Sequence, residues 1–177
     1  MERVVNDPRP AEQGAALLDL YDTAVTEVYG YLVTRCGSAQ VAEDLTSETF
    51  LAAVDAVRRD RVPEMTTAWL IAVARNKLVD HWRRREREER SLRSVDARDP
   101  ADATDDWDIH LDAAVAHRTL AKLGAHHRCA LTLRYLDGLP VREVAACLDR
   151  TEGATEVLLV RARAAFRDHY ESEEERS

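Results

Sequence analysis

The chain has little of what builds sheets, covalent staples or membrane anchors. Its three cysteines, Cys36, Cys129 and Cys147, are odd in number, widely spaced and form no CxxC pair. That argues against both a disulfide framework and a cysteine zinc site, and leaves small buried thiols in a reducing compartment as the natural reading. No apolar run approaches the roughly 20 residues that cross a bilayer, and the opening MERVVNDPRPAEQGAA lacks the apolar core of an export signal. A cytoplasmic protein without membrane insertion is expected. Glycine and proline are few, six and five, and stand at plausible boundaries. No segment alternates apolar and polar residues long enough to argue for a strand, so an all-α fold is expected.

What is present is charge, and it is unevenly placed. The net charge of −8 hides two basic blocks: residues 69–90 carry seven Lys/Arg against four Asp/Glu, and residues 117–170 carry nine against six. Acidic stretches flank and separate them. The densest block is WLIAVARNKLVDHWRRR, residues 69–85, with Arg75, Lys77, Arg83, Arg84 and Arg85 beside His81, and Asp80 as its one acid. Positive charge concentrated locally in an acidic chain is how a protein meets nucleic-acid phosphates. The plain alternative is a solvated helix face held by i,i+4 pairs such as Arg85–Glu89 and Glu86–Arg90.

The pattern predicts a short disordered N-terminus (1–12), a helical N-terminal domain (13–90), an acidic linker (91–108), a helical C-terminal domain (109–170) and an acidic tail (171–177). In the N-terminal domain the first helix spans about 15–35, with Leu17, Leu18, Tyr21, Val25, Val28, Tyr29 and Leu32 along one face. Gly37 ends it and Ser38 can cap a second helix running to about residue 59. A polar turn, 58–63, precedes a third helix capped by Thr66 or Thr67. The segment SLRSVDARDPADATDDWD, residues 91–108, is rich in Asp, Ala and Ser and reads as a linker. Beyond it, helices are expected at about 109–123, 126–136, 140–148 and 151–170.

Three constellations could carry function. Residues 140–167 read as a helix–turn–helix, two amphipathic helices joined at Asp149-Arg150-Thr151, an arrangement that can put a helix N-terminus into a major groove. Two such helices also occur in plain bundles. The basic helix is the second. The third is AEDLTSETF, residues 42–50, where Asp44 and Glu48 share one helix face beside Leu45 and suit docking on a basic protein surface. As a metal or acid–base pair these carboxylates lack a second cluster, and His126, His127 and Cys129 make a poor ligand set. No cofactor and no small-molecule substrate are expected.

Taken in order, these pieces resemble the small extracytoplasmic-function (ECF) group of bacterial RNA polymerase sigma factors, over residues 17–90 and 111–167. AEDLTSETFLAA resembles the polymerase-docking helix, WLIAVARNKLVDHWRRR the helix that reads the minus-ten element, and LTLRYLDGLPVREVAACL with ATEVLLVRARAAFR the domain that reads the minus-thirty-five element. The resemblance implies two helical domains, no enzymatic activity, and core RNA polymerase, promoter DNA and an anti-sigma factor as partners. Asp44, Leu45, Glu48 and Phe50 would form or support the docking surface. The loop 58–67, with Arg58, Arg59, Arg61 and Thr66, would take a base flipped from the minus-ten element, and Arg75, Asn76, Asp80, Arg83 and Arg84 would contact DNA there. In the C-terminal domain Arg150, Thr151, Thr155, Glu156, Arg161 and Arg163 would meet the minus-thirty-five element, with Glu156 able to accept from a cytosine amino group. The recognition helix starts with Ala154, Thr155 and Glu156 where many members carry Thr, Lys or Arg, Ser and Arg. Asp149 stands where glycine is frequent, and Gly124 where proline is common.

Two other readings compete. A dimeric helix–turn–helix regulator of duplex DNA would leave the acidic helix and the 58–67 loop without a role. A helical hydrolase or nuclease lacks a complete site.

Overall fold

The structure, a computed structural model, describes residues 10–62, 64–92 and 113–174. The described residues form helices α1 (Pro10–Cys36), α2 (Ala39–Arg58), α3 (Thr67–Leu92), α4 (Ala113–Lys122), α5 (Ala125–Leu131), α6 (Val141–Leu148) and α7 (Glu152–Glu174), with a π-helical turn, Thr132–Leu136, after α5. Residues 1–9, most of the expected linker (93–108) and residues 175–177 of the expected tail lie outside the described residues.

The chain divides into two compact units, Met1–Leu78 and Val79–Ser177, so the division falls inside α3 and not in the linker. In the first unit, α1 begins at Pro10, a turn earlier than its apolar pattern suggests, because proline suits the first position of a helix. Gly37, at φ +68°, ends it, and the Ser38 hydroxyl accepts from the Val41 N–H at 3.4 Å to start α2. Leu17, Ala24, Val28 and Leu32 of α1 are buried, as are Ala42, Leu45, Thr49, Ala53 and Val57 of α2. Leu70, Ala74 and Leu78 of α3 complete this core. Leu18 and Tyr21, expected on the core face of α1, are instead 77% and 46% exposed. Small Ala24 takes the inward position that a ranking by size passes over.

The core of the second unit gathers Leu123, Ala130, Leu131, Leu158, Leu159, Ala162, Phe166 and Tyr170. The single helix expected over 126–136 gives way to a π-helical turn after Leu131, where the Asp137 N–H reaches five residues back to the Thr132 carbonyl at 3.0 Å. Gly138, at φ +67°, turns the chain toward α6. Pro140 is the residue before α6, extended at ψ 155°, and not a member of its first turn. The tight turn after α6 rests on Asp149 in the left-handed region, φ 54° and ψ 49°, with the Arg150 N–H donating to the Ala145 carbonyl at 3.0 Å. Thr151 then caps α7, its hydroxyl accepting from the Ala154 N–H at 3.2 Å. Helix α7 runs on to Glu174, through part of the expected tail.

Candidate nucleic-acid interface

The acidic helix α2 is two-sided. Leu45, Thr49 and Ala53 bury one side, and the Thr49 hydroxyl, having no water to reach, donates to the Leu45 carbonyl at 2.7 Å. Asp44 is exposed, Glu48 is half-buried with Lys77 Nζ at 3.7 Å, and Phe50 is half-buried against Tyr21, ring centroids 5.0 Å apart. Leu45 is 1% exposed, so it supports this face from beneath and does not form it. Two residues absent from the sequence-based set belong on the outer side: Leu51 and Val54, 70% and 39% exposed. With Leu18 and Tyr21 of α1 they add apolar surface to the acidic helix.

The loop after α2 is built to hold arginines outward. The Arg61 N–H donates to the Ala56 carbonyl at 2.9 Å and Asp60 sits at φ 51°, which turns the chain sharply out of the helix. Arg58, Arg59 and Arg61 are all exposed, Arg59 with Asp55 at 3.1 Å. Val62 is buried, and its carbonyl accepts from Gln13 Nε2 at 2.8 Å. Gln13, 2% exposed, therefore anchors the loop from α1, a role invisible in a stretch whose sequence suggests no helix. Thr66 caps α3 by accepting from the Trp69 N–H at 3.2 Å, which leaves its own hydroxyl proton to donate.

Along α3 the expected readers separate. Asn76, Asp80 and Arg84 are exposed, while Arg75 and Arg83 are half-buried. Arg83 Nη2 donates to the Cys147 carbonyl at 2.7 Å, an interaction within the second unit.

At the helix–turn–helix, Thr151, Glu156 and Arg161 are exposed, and Arg163 donates from Nη1 to the Tyr135 hydroxyl at 3.1 Å. Arg150 Nη2 lies 3.5 Å from Glu86 Oε1. Thr155 is a correction to the expected set. It is 0% exposed, and its hydroxyl donates to the Thr151 carbonyl at 2.9 Å, so its side chain faces the core and not DNA. Val157, beside Glu156, is 50% exposed.

Among the described residues, two groups have clearly shifted acidities. Burial, then the neighbouring His126 and Arg161, lower the His127 pKa to about 4, so this ring is neutral at pH 7. Burial pushes the Cys129 thiol up, which keeps it protonated and inert. Among the described residues no group of three or more His, Cys, Asp or Glu is placed to hold a metal ion, and no helix is long and apolar enough to cross a membrane.

Two stretches of the chain match known families: residues 20–88 match Sigma-70 region 2, and residues 114–166 match Sigma-70, region 4. The ECF RNA polymerase sigma factor SigL of Mycobacterium tuberculosis is 31% identical over 166 residues, 89% of this chain and 90% of that protein. SigF of Caulobacter vibrioides is 33% identical over 168 residues, 90% of this chain and 85% of that one. BldN of Streptomyces coelicolor is 34% identical over 152 residues, 81% of this chain, and this chain spans only 56% of its length. The sigma factor RpoE of Bartonella quintana, solved with the anti-sigma factor NepR, shares the fold with a TM-score of 0.52 at 21% identity, over 87% of this chain and 95% of that one.

The fold and both domain matches define a sigma-70 family protein, a factor of transcription initiation. Within that family the chain belongs to the ECF RNA polymerase sigma factors. Binding to RNA polymerase and promoter-directed initiation follow from that membership, and a free-standing dimeric regulator is not favoured, since it has no use for a region 2.

Proposed function

We propose that the outer side of α2 docks on core RNA polymerase through Asp44, Glu48, Leu51 and Val54, with Leu45 and Phe50 supporting it. The observation that carries this is the two-sidedness of α2: the helix buries one side in its own unit and turns carboxylates and large apolar groups outward together. A single exposed leucine is ordinary, but Leu51 and Val54 stand together on the same outer side as Asp44, a mixed apolar and charged surface of the kind a partner covers. The loop 58–67, anchored by Gln13, receives the flipped minus-ten base, while Arg75, Asn76, Asp80, Arg83 and Arg84 position the DNA around it. Unstacking that base costs a few kcal/mol, offset by pocket and backbone contacts. The N-terminal end of α7, with Glu156 and Val157 flanked by Thr151 and Arg161, reads the minus-thirty-five element. Arg150 and Arg163 anchor phosphates once freed from their present partners. An anti-sigma factor, of the kind bound to RpoE of Bartonella quintana, is the expected regulator. The protein acts in the cytoplasm and without catalysis of its own.

Reconstitution with purified core polymerase tests this reading. Wild type supports promoter-specific initiation. Asp44→Arg and Leu51→Arg each lower core affinity about tenfold or more, because a like charge or a desolvated cation now meets the partner, and both keep the wild-type circular dichroism spectrum. Unchanged core affinity in both variants would remove α2 from the docking role.

A further inference from the structure

We propose that Gln13, on α1, is a positioning residue for base capture: it presets the loop 58–67 before DNA arrives, and so sets how sharply the flipped base of the minus-ten element is discriminated. This rests on the assignment of that loop to the flipped base under the proposed function. Gln13 is 2% exposed, and its Nε2 donates at 2.8 Å to the Val62 carbonyl, 49 residues along the chain. Both residues belong to the first unit. The early start of α1, at Pro10, is what carries Gln13 to the loop. The apolar face of the helix does not need that extra turn, and the loop does.

Local bonds fasten the loop at both ends. The Arg61 N–H donates to the Ala56 carbonyl at 2.9 Å, and Thr66 caps α3. Val62 lies between them, and its buried side chain fixes where the residue sits. A buried side chain alone leaves the following peptide plane able to rotate about the backbone. That peptide joins Val62 to Pro63, which has no N–H, so the group can be held only by its carbonyl oxygen. The Gln13 amide holds it there, and thereby fixes the direction in which the chain leaves Val62.

The choice of glutamine is informative. Its Oε1 is buried and has no hydrogen-bond partner among the described residues. A buried acceptor left unpaired is unfavourable, and a methionine or leucine would fill similar space without one. Stability alone therefore does not account for an amide at this position, whereas the need to hold one carbonyl in one direction does. The benefit is preorganisation. Taking a base out of the stack is unfavourable, and the pocket must compensate for it. A loop that became ordered only on capture would lose its ordering entropy from that compensation and present no fixed shape to tell bases apart.

Initiation by core polymerase with the full-length protein, on a template pool randomised across both promoter elements, tests the role. The flipped position is located by 2-aminopurine fluorescence in the wild-type complex, and sequencing of the transcribed templates gives the base preference there. Gln13→Met keeps the side-chain length and removes the donor. It should lower the preference for the favoured base about fivefold, the worth of one ordinary hydrogen bond. Preferences in the minus-thirty-five element and core affinity should stay at the wild-type level. Its melting midpoint should stay within about 3 °C of wild type, because loss of the bond is offset by removal of the unpaired oxygen. Gln13→Glu, an acceptor without a donor when ionised, should lower the preference at least as far. Val28→Ala, at a fully buried position further along α1, should lower the midpoint and keep the preference. Undiminished preference in both Gln13 variants, or an equal loss in Val28→Ala, overturns the proposal. Loss of the helical circular dichroism signal in Gln13→Met would make Gln13 a residue of the fold and overturn it too. Failure of the wild type to initiate, or to prefer any base in the minus-ten element, sinks the functional reading, whereas a wild-type preference that survives both Gln13 variants sinks only the positioning role.

Discussion

His127 behaves unlike a surface histidine. Its folded pKa of about 4 lies below the ordinary histidine value of 6.5, so the unfolded chain binds the extra proton more readily between those two values. Stability contributed by the neutral ring is complete above pH 6.5 and is lost as pH falls toward about 4. Thermal unfolding followed from pH 7 to pH 4.5 should show a falling midpoint, with His127→Gln flattening part of that slope. A wild-type slope unchanged in the variant would place the acid sensitivity elsewhere. Leu32 makes a simpler case. It is 0% exposed, and Leu32→Ala should cost about 2–5 kcal/mol in urea unfolding, the range for a leucine whose cavity cannot collapse fully. Its burial was legible from spacing alone. The exposure of Leu18, on the same helix and of the same residue type, was not.

At the scale of elements, the turn between α6 and α7 depends on two small devices. Asp149 accepts a left-handed backbone that a β-branched residue resists, and Thr151 caps the helix that follows. Asp149→Val should destabilise the second unit by about 1–2 kcal/mol and Thr151→Ala by about 1 kcal/mol. Asp149→Gly should be tolerated. Denaturant unfolding checks all three, and a neutral Asp149→Val would contradict the left-handed assignment. Thr151 was expected as the first residue of the helix and not as its cap, whereas the turn at Asp149 was readable from the sequence, because local chemistry sets turns. The π-helical turn after α5 was not, since an apolar pattern has no mark for one inserted residue. Nor was the capping of the α4 end by Arg128, whose Nε donates to the Leu120 carbonyl at 2.8 Å across eight residues.

For the whole molecule, the net charge of −8 sets how the protein meets DNA. A free-standing DNA binder draws its affinity from neutralised phosphates and tends to be basic. An acidic chain with two basic blocks gains DNA by being carried to it. The free protein should elute as a monomer and fail to shift duplex DNA at about 0.15 M salt, where weak phosphate contacts are already screened. With core polymerase present, the same DNA should be bound. A stable dimer that shifts duplex DNA unaided would restore the regulator reading.

The sequence by itself determined the helical class, the order of acidic helix, basic helix and helix–turn–helix, and the caps at Ser38 and Thr66, because all of these depend on residues within a few positions of one another. It also placed the charge blocks, which are sums over neighbours. Only the tertiary structure decided which sides of those helices face outward. Leu45 and Thr155 turn inward, Leu51 and Val157 turn outward, and Gln13 reaches a loop 49 residues away. It also decided that Arg83 and Glu86 each meet a group 64 residues distant. The physical reason is the same in each case. Periodicity gives the relative angle between residues on one helix, but the direction of the core is fixed by the other helices that pack against it.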